Sequence, residues 1–270
     1  MKFGDIEIKK KLDLDYKSNP YVVKKYAKNW VASKKWTFKY LKNMKGSNIL
    51  VNTVKGNAAA TKGKIKSIKF KDYIDKITSK NTKSYLSTFY LFRYFPDLRN
   101  DLDYSYIKSK SLVCHLLSWI GPKGSITGFH CDWSENINIQ IKGNKNFYLV
   151  SPKYNNKMYI SDKFERISWT SKVDLKKIKK NNFPLFKKAK VIKVRLNEGD
   201  LIYIPRGWWH YVESLSPSIG ISFHFWNWFY FFRDLLFETS LVLLHDIGLY
   251  KKNNCSCHSL DQFGKRLKRG

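Results

Sequence analysis

The chain has 270 residues, 43% of them hydrophobic and 16% aromatic, which suits one large ordered domain or two small ones and excludes a disordered chain. Its net charge of +30 is carried by 43 Lys against 8 Arg, beside 20 Asn. Base and phosphate readers favour the arginine fork, and AT-rich coding gives the same lysine bias with no ligand, so the charge alone does not assign a nucleic-acid partner.

The opening Met1–Leu14 is charged throughout and reads without a secretory signal. Residues 1–80 hold 21 Lys and 6 acids. Helices are predicted around Pro20–Trp30 and Trp36–Lys45, short strands near Asn48–Val54 and a further helix over Lys69–Ile77. Tyr85–Leu98 is aromatic-rich and ends at a Pro-Asp turn. From residue 111 the texture becomes β-prone runs separated by Gly, Asn and Pro, near 111–120, 124–131, 136–142, 145–151, 157–160, 190–196, 201–204, 208–213 and 219–226. That spacing indicates a sandwich or barrel. The insert 162–189 is Lys-rich, expected as loop with a short helix. Residues 228–250 group apolar positions helically, and 251–270 is a basic tail expected to be flexible. The longest apolar stretch, Ile219–Leu244, is broken by His224, Arg233, Asp234 and Glu238, so no membrane span is expected. Four cysteines (Cys114, Cys131, Cys255, Cys257) make no disulfide framework, which points to a reducing intracellular compartment, cytoplasm and nucleus undistinguished. "CSCH" at 255–258 has no matching second pair and makes a poor zinc site. The organisation expected is therefore a 1–110 region packing on a 111–228 core, then a 229–250 helix and the 251–270 tail.

The run "TGFHCDWSENINIQIKGNKNFYLVSP" is polar where a buried strand should be apolar. Asn136 to Ile141 alternates with period two, giving one apolar and one polar face. Gly143-Asn144 fits a two-residue hairpin turn, setting 142 against 145 and placing Lys145 on the face of Asn138 and Gln140. If the strand runs unbroken from His130, that residue and Asp132 join the same face. Taken alone, such a face is more often simply solvated. "NEGDLIYIPRGWWHYVES" changes the balance by adding His210 on a later strand. Two histidines and a carboxylate make a facial triad that leaves adjacent positions open, an arrangement suited to non-haem Fe(II).

At this point the sequence resembles the JmjC oxygenases, in particular the small hydroxylase branch typified by the asparaginyl hydroxylase of hypoxia-inducible factor. The matching blocks are "GSITGFHCDWSENINIQIKGNKNFYLVSP" and "GDLIYIPRGWWHYVESLSPSIGISFHFW", with a looser match in "NPYVVKKYAKNWVASKKWTFKYL". The resemblance implies a mainly β fold with flanking α, a double-stranded β-helix (jelly-roll, cupin) core with N- and C-terminal helices. It implies Fe(II) held by His130, Asp132 and His210, with 2-oxoglutarate and O2 consumed and succinate and CO2 released. It further implies that Lys145, Thr127 and Tyr85 contact the distal carboxylate of 2-oxoglutarate and that Asn136 lies near its metal-bound end. One departure stands out: His224 in "ISFHFW" replaces an asparagine of the relative, as a co-substrate contact or a core histidine. A protein or peptide substrate is expected. Nε-methyl-lysine demethylation, RNA-base hydroxylation on a basic surface, and a non-catalytic cupin-like binding module are the alternatives. The resembled enzymes also suggest a homodimer through the C-terminal helix.

Overall fold

Fifteen strands and six α-helices form among the residues that this computed structural model describes, which are 2–15, 19–55, 58, 65–166, 168–176, 178, 182–226, 228–251 and 254–255. The N-terminal region contributes β1 (Lys2–Gly4), β2 (Glu7–Lys9) and β3 (Tyr21–Val23), then helices α1 (Val31–Lys35) and α2 (Phe38–Lys42). It continues with β4 (Leu50–Lys55), β5 (Ile65–Lys69), α3 (Phe70–Thr78), β6 (Ser84–Phe89), α4 (Leu91–Tyr94) and α5 (Ser105–Ser109). The core follows as β7 (Val113–Gly121), β8 (Ile126–Asp132), β9 (Glu135–Lys142), β10 (Lys145–Val150), β11 (Ser168–Thr170), β12 (Lys190–Leu196), β13 (Leu201–Ile204), β14 (Trp209–Ser214) and β15 (Ser218–Trp226). Helix α6 (Trp228–Asp246) closes the order.

Two sheets result, ordered β2-β3-β13-β9-β15-β7-β6-β4-β5 and β1-β12-β10-β14-β8-β11. Eight core strands divide equally between them, β13-β9-β15-β7 facing β12-β10-β14-β8, and neighbours pair antiparallel. This is the double-stranded β-helix that the sequence led us to expect, with flanking helices.

The space between the sheets is not uniform. Phe147 and Leu149 of β10, Val194 and Leu196 of β12, and Ile202 and Ile204 of β13 fill one side with apolar side chains. The other side holds a cavity lined mostly by polar side chains: Thr127 and His130 of β8, Asn136 and Asn138 of β9, Lys145 of β10 and His210 of β14. A second core, including Ile137, Ile139, Ile221 and Phe223, seals the outer face of the large sheet against α1–α5. A third, including Phe129, Trp209 and Tyr211, seals the outer face of the small sheet under the 152–189 insert. Both sheets are thus covered outside, and the site sits in a polar gap between them.

Several sequence expectations need correction. β9 and β10 are not a hairpin: β9 pairs with β13 and β15, and β10 with β12 and β14. Gly143, at φ +73°, turns the chain from one sheet to the other, and a Cβ there would lie 2.1 Å from the Pro217 carbonyl oxygen. Likewise His130 and Asp132 on β8 belong to the small sheet and Asn136 to the large one. Lys145 meets Asn138 and Gln140 because the two sheets face each other. Residues Pro20–Trp30 are not a helix. Tyr21–Val23 is a strand on β13, whose β-branched and aromatic residues are all buried, and turns follow with Lys25 at φ 56°. Residues 157–160 form no strand: Pro152–Lys157 is 3-10 and Ile160 makes one isolated bridge to Ser171. The insert 162–189 supplies β11 and a 3-10 turn at Phe186–Lys188. Most of the tail 251–270, including the last three residues of "CSCH", lies outside the described residues. Among the described residues no helix is long and apolar enough to cross a membrane.

Candidate metal centre

His130 and His210 stand opposite each other on neighbouring strands β8 and β14, with ring centroids 4.0 Å apart. Asp132 lies two residues beyond His130 on the same strand face. One ligand atom from each of the three falls within 4.8 Å of the others. His130 Nδ1 donates to the Gly128 carbonyl at 2.8 Å and His210 Nδ1 to the Trp208 carbonyl at 3.1 Å. A carbonyl only accepts, so each Nδ1 carries a proton, the tautomer whose Nε2 is free to ligate a metal when the ring is neutral. Burial, with His130 beside it, pushes the His210 imidazole down to about 3, which keeps it neutral as a ligand must be.

Asp132 is buried, which works to raise its pKa. Positive charge on the His224, His210 and His130 rings when they are protonated, together with the Asn136 amide, outweighs burial and holds the carboxyl below its usual range. Asn136 donates to Asp132 Oδ2 at 2.8 Å, and Asn138 in turn donates to Asn136 Oδ1 at 2.8 Å. Two neutral imidazole nitrogens and one supported carboxylate fit Fe(II) in its donor chemistry.

The same cavity continues past His130 and His210 to Lys145, Tyr85 and Thr127. Lys145 is buried, burial alone drives its ammonium down to about 7, and no carboxylate among the described residues offsets it. A buried cation left without an anion fits one carboxylate of a bound diacid. Tyr85 shares a hydrogen bond with the Thr127 side chain, and burial raises its phenol well above the usual range. The Tyr85 ring occupies the space a Cβ of Gly121 would need, 2.5 Å from Tyr85 Cδ2. Thr127 and His130 are three residues apart, so a regular strand would turn them to opposite faces. An irregularity places one extra residue on β8 between the pairs His210–His130 and Val212–Thr127, and both line the cavity.

His224 on β15 is paired with Asn136 on β9. Its Nδ1 is 3.2 Å from Ser134 Oγ and 3.7 Å from Asp132 Oδ2, while its buried Nε2 has no hydrogen-bond partner among the described residues. It stands beside the triad and outside the ligand cluster. Sequence reasoning missed Trp119, which lines the cavity and donates from Nε1 to Ser222 Oγ at 2.7 Å. It also missed Gly121 and Gly220, whose signal was only an unexplained glycine inside a strand pattern. At the barrel end beyond His224, a cavity of about 210 Å³ lies under α6, lined by Val113, His115, Trp226, Phe231, Glu238 and Thr239.

A family model described as a cupin-like domain matches residues 13–230. JmjC domain-containing protein D of Dictyostelium discoideum is 36% identical over 228 residues, 76% of this chain and 51% of that protein. Lysine-specific demethylase JMJ30 of Arabidopsis thaliana is 30% identical over 216 residues, 77% and 50% of the two chains. Lysine-specific demethylase 8 of Xenopus tropicalis is 27% identical over 210 residues, 76% and 47%. The chain belongs to the JmjC family of cupin-like domains. It spans about half the length of these curated relatives. Fe(II) and 2-oxoglutarate are the metal and co-substrate of JmjC oxygenases, and the donor set and the orphaned Lys145 ammonium of this JmjC domain fit both.

Proposed function

We propose that this JmjC domain is an Fe(II)- and 2-oxoglutarate-dependent dioxygenase that hydroxylates a protein side chain. The observation that carries the reading is the buried, carboxylate-free ammonium of Lys145 on the same cavity as His130 and His210. His130, Asp132 and His210 would hold the iron, and Asn136 holds Asp132 in place through its amide. Lys145, with Thr127 and Tyr85, would take the far carboxylate of the diacid. The unpartnered His224 Nε2 is assigned to the near end of the same ligand. Apolar cores flank the two sheets and one side of the gap. When metal, diacid and O2 are bound, oxygen activation at iron supplies an oxidant for an unactivated C–H bond: one oxygen atom enters the product and the other leaves in succinate, with CO2 released.

The substrate side chain is assigned to the cavity under α6, whose residues His115 and Trp226 lie on the same inward strand faces as His224. A peptide is proposed because that cavity is small, about 210 Å³, and roofed by a helix. Demethylation of Nε-methyl-lysine is the second reading, favoured by the names of two relatives. An RNA base remains the proposed target only if the +30 charge forms a functional surface.

Succinate release from 2-oxoglutarate, dependent on Fe(II) and abolished by His130→Ala, tests the oxygenase reading. Peptide and nucleoside libraries separate the substrates: a gain of 16 Da on peptide supports hydroxylation. Formaldehyde release from methylated peptide instead supports demethylation. Unchanged turnover in His130→Ala sinks the assignment.

A further inference from the structure

Strand β15 carries Gly220 between Ile219 and Ile221, and its backbone is outside the left-handed region, so the chain path does not call for glycine there. The register irregularity beside it puts the extra residue, Ile141, on β9 and not on β15. What the position requires is room. A Cβ at 220 would sit 3.0 Å from Lys145 Nζ and 3.5 Å from Gln140 Oε1. The Lys145 ammonium therefore rests in a notch that only a missing side chain leaves open.

The walls of that notch are held. Gln140 is buried and its amide donates to the Lys142 carbonyl at 2.6 Å. The Ile139 carbonyl lies 3.8 Å from the same Cβ position. On its other side Lys145 opens onto the cavity shared with Tyr85, Thr127, His130 and His210. A methyl group at 220 would require the ammonium to give way by a few tenths of an ångström, and the side left open to it is that cavity.

We propose that Gly220 fixes the length of the diacid pocket, and with it the preference for a five-carbon over a four-carbon 2-oxo diacid. The proposal rests on the oxygenase reading above. Lys145 sets where the far carboxylate ends, and Gly220 sets how far back Lys145 can sit. Gln140 forms the second limit on the same group.

The test is calorimetric titration of Fe(II)-loaded protein without oxygen, using 2-oxoglutarate and oxaloacetate in one preparation, so that the affinity ratio does not depend on the fraction folded. Gly220→Ala is expected to shift that ratio about tenfold toward oxaloacetate, the scale of one methylene in a fitted pocket. Gln140→Ala enlarges the notch and is expected to shift preference the other way, toward six-carbon 2-oxoadipate. An unchanged ratio in Gly220→Ala overturns the proposal. So does an unchanged ratio in Gln140→Ala, which decides the matter where Gly220→Ala does not fold. Wild-type protein that binds none of these acids overturns the oxygenase reading itself, a distinct result.

Discussion

His130 and His210 lie directly across from each other on β8 and β14, eighty positions apart in sequence, and each anchors its Nδ1 on the carbonyl two residues before it. Both Nε2 atoms are thereby oriented by backbone geometry before any metal arrives. Replacing His210 or Asp132 by alanine is expected to abolish tight Fe(II) binding while the fold persists, because the ring and carboxylate are not part of the apolar cores. Metal titration followed by calorimetry, beside far-UV circular dichroism, checks both halves.

Asn136 gives a graded version of the same test. It touches Asp132 Oδ2 at 2.8 Å and belongs to the opposite sheet. Asn136→Ala is expected to weaken Fe(II) binding about 10–100-fold without removing a ligand. A change below threefold in the measured dissociation constant would refute a supporting role.

Two buried groups make the metal-free protein's stability depend on pH in opposite directions. Burial raises Glu135 from 4.5 to about 7, against the Tyr203 hydroxyl that donates to it, so its contribution is lost as pH rises from its unfolded value through 7. Burial lowers Lys145 from 10.5 to about 7, so its contribution is present above the unfolded value and lost as pH falls toward 7. Between themselves these two groups place a minimum near neutrality, on which the depressed His210 superimposes a loss of stability as pH falls below 6.5. Glu135→Gln is expected to flatten the acid limb and Lys145→Met the alkaline limb in denaturant melts across pH. Lys145→Met should also stabilise the apo protein at neutral pH while abolishing diacid binding.

Helix α6 leaves Phe229, Phe232, Leu236, Phe237 and Leu243 exposed, 60–77% each, at spacings that keep several on one side. Its opposite attachments are Arg206 to Glu238 and Arg166 to Asp246. Such an apolar stripe is proposed to be a homodimer contact. Light scattering should give a dimer for the wild-type chain and a monomer for Leu236→Glu/Phe237→Glu. A wild-type monomer would remove the dimer proposal.

The sequence made the triad readable because metal ligands must recur at fixed places on two strands, whatever else drifts. The fold class was readable from the rhythm of short strands and turns. The partnership of β9 and β10 was not. A period-two pattern followed by Gly143-Asn144 looks the same whether the chain folds back on itself or crosses to a facing sheet. Only the pairing of β10 with β14, and of β9 with β15, decides it. Tyr21–Val23 was misread for a related reason: three buried residues before a turn carry no clear period. Trp119, Gly121 and Gly220 were invisible because their role is a matter of shape.

The extra residue of β8 between Thr127 and His130 has an evolutionary consequence. Removing one codon there, such as that of Gly128, would restore a regular strand and turn Thr127 outward while leaving His130, Asp132 and His210 in register. Such a protein would keep its metal and lose one grip on the diacid. On the function proposed above, one deletion would loosen the diacid, still held by Lys145 and Tyr85, while the metal triad stayed whole.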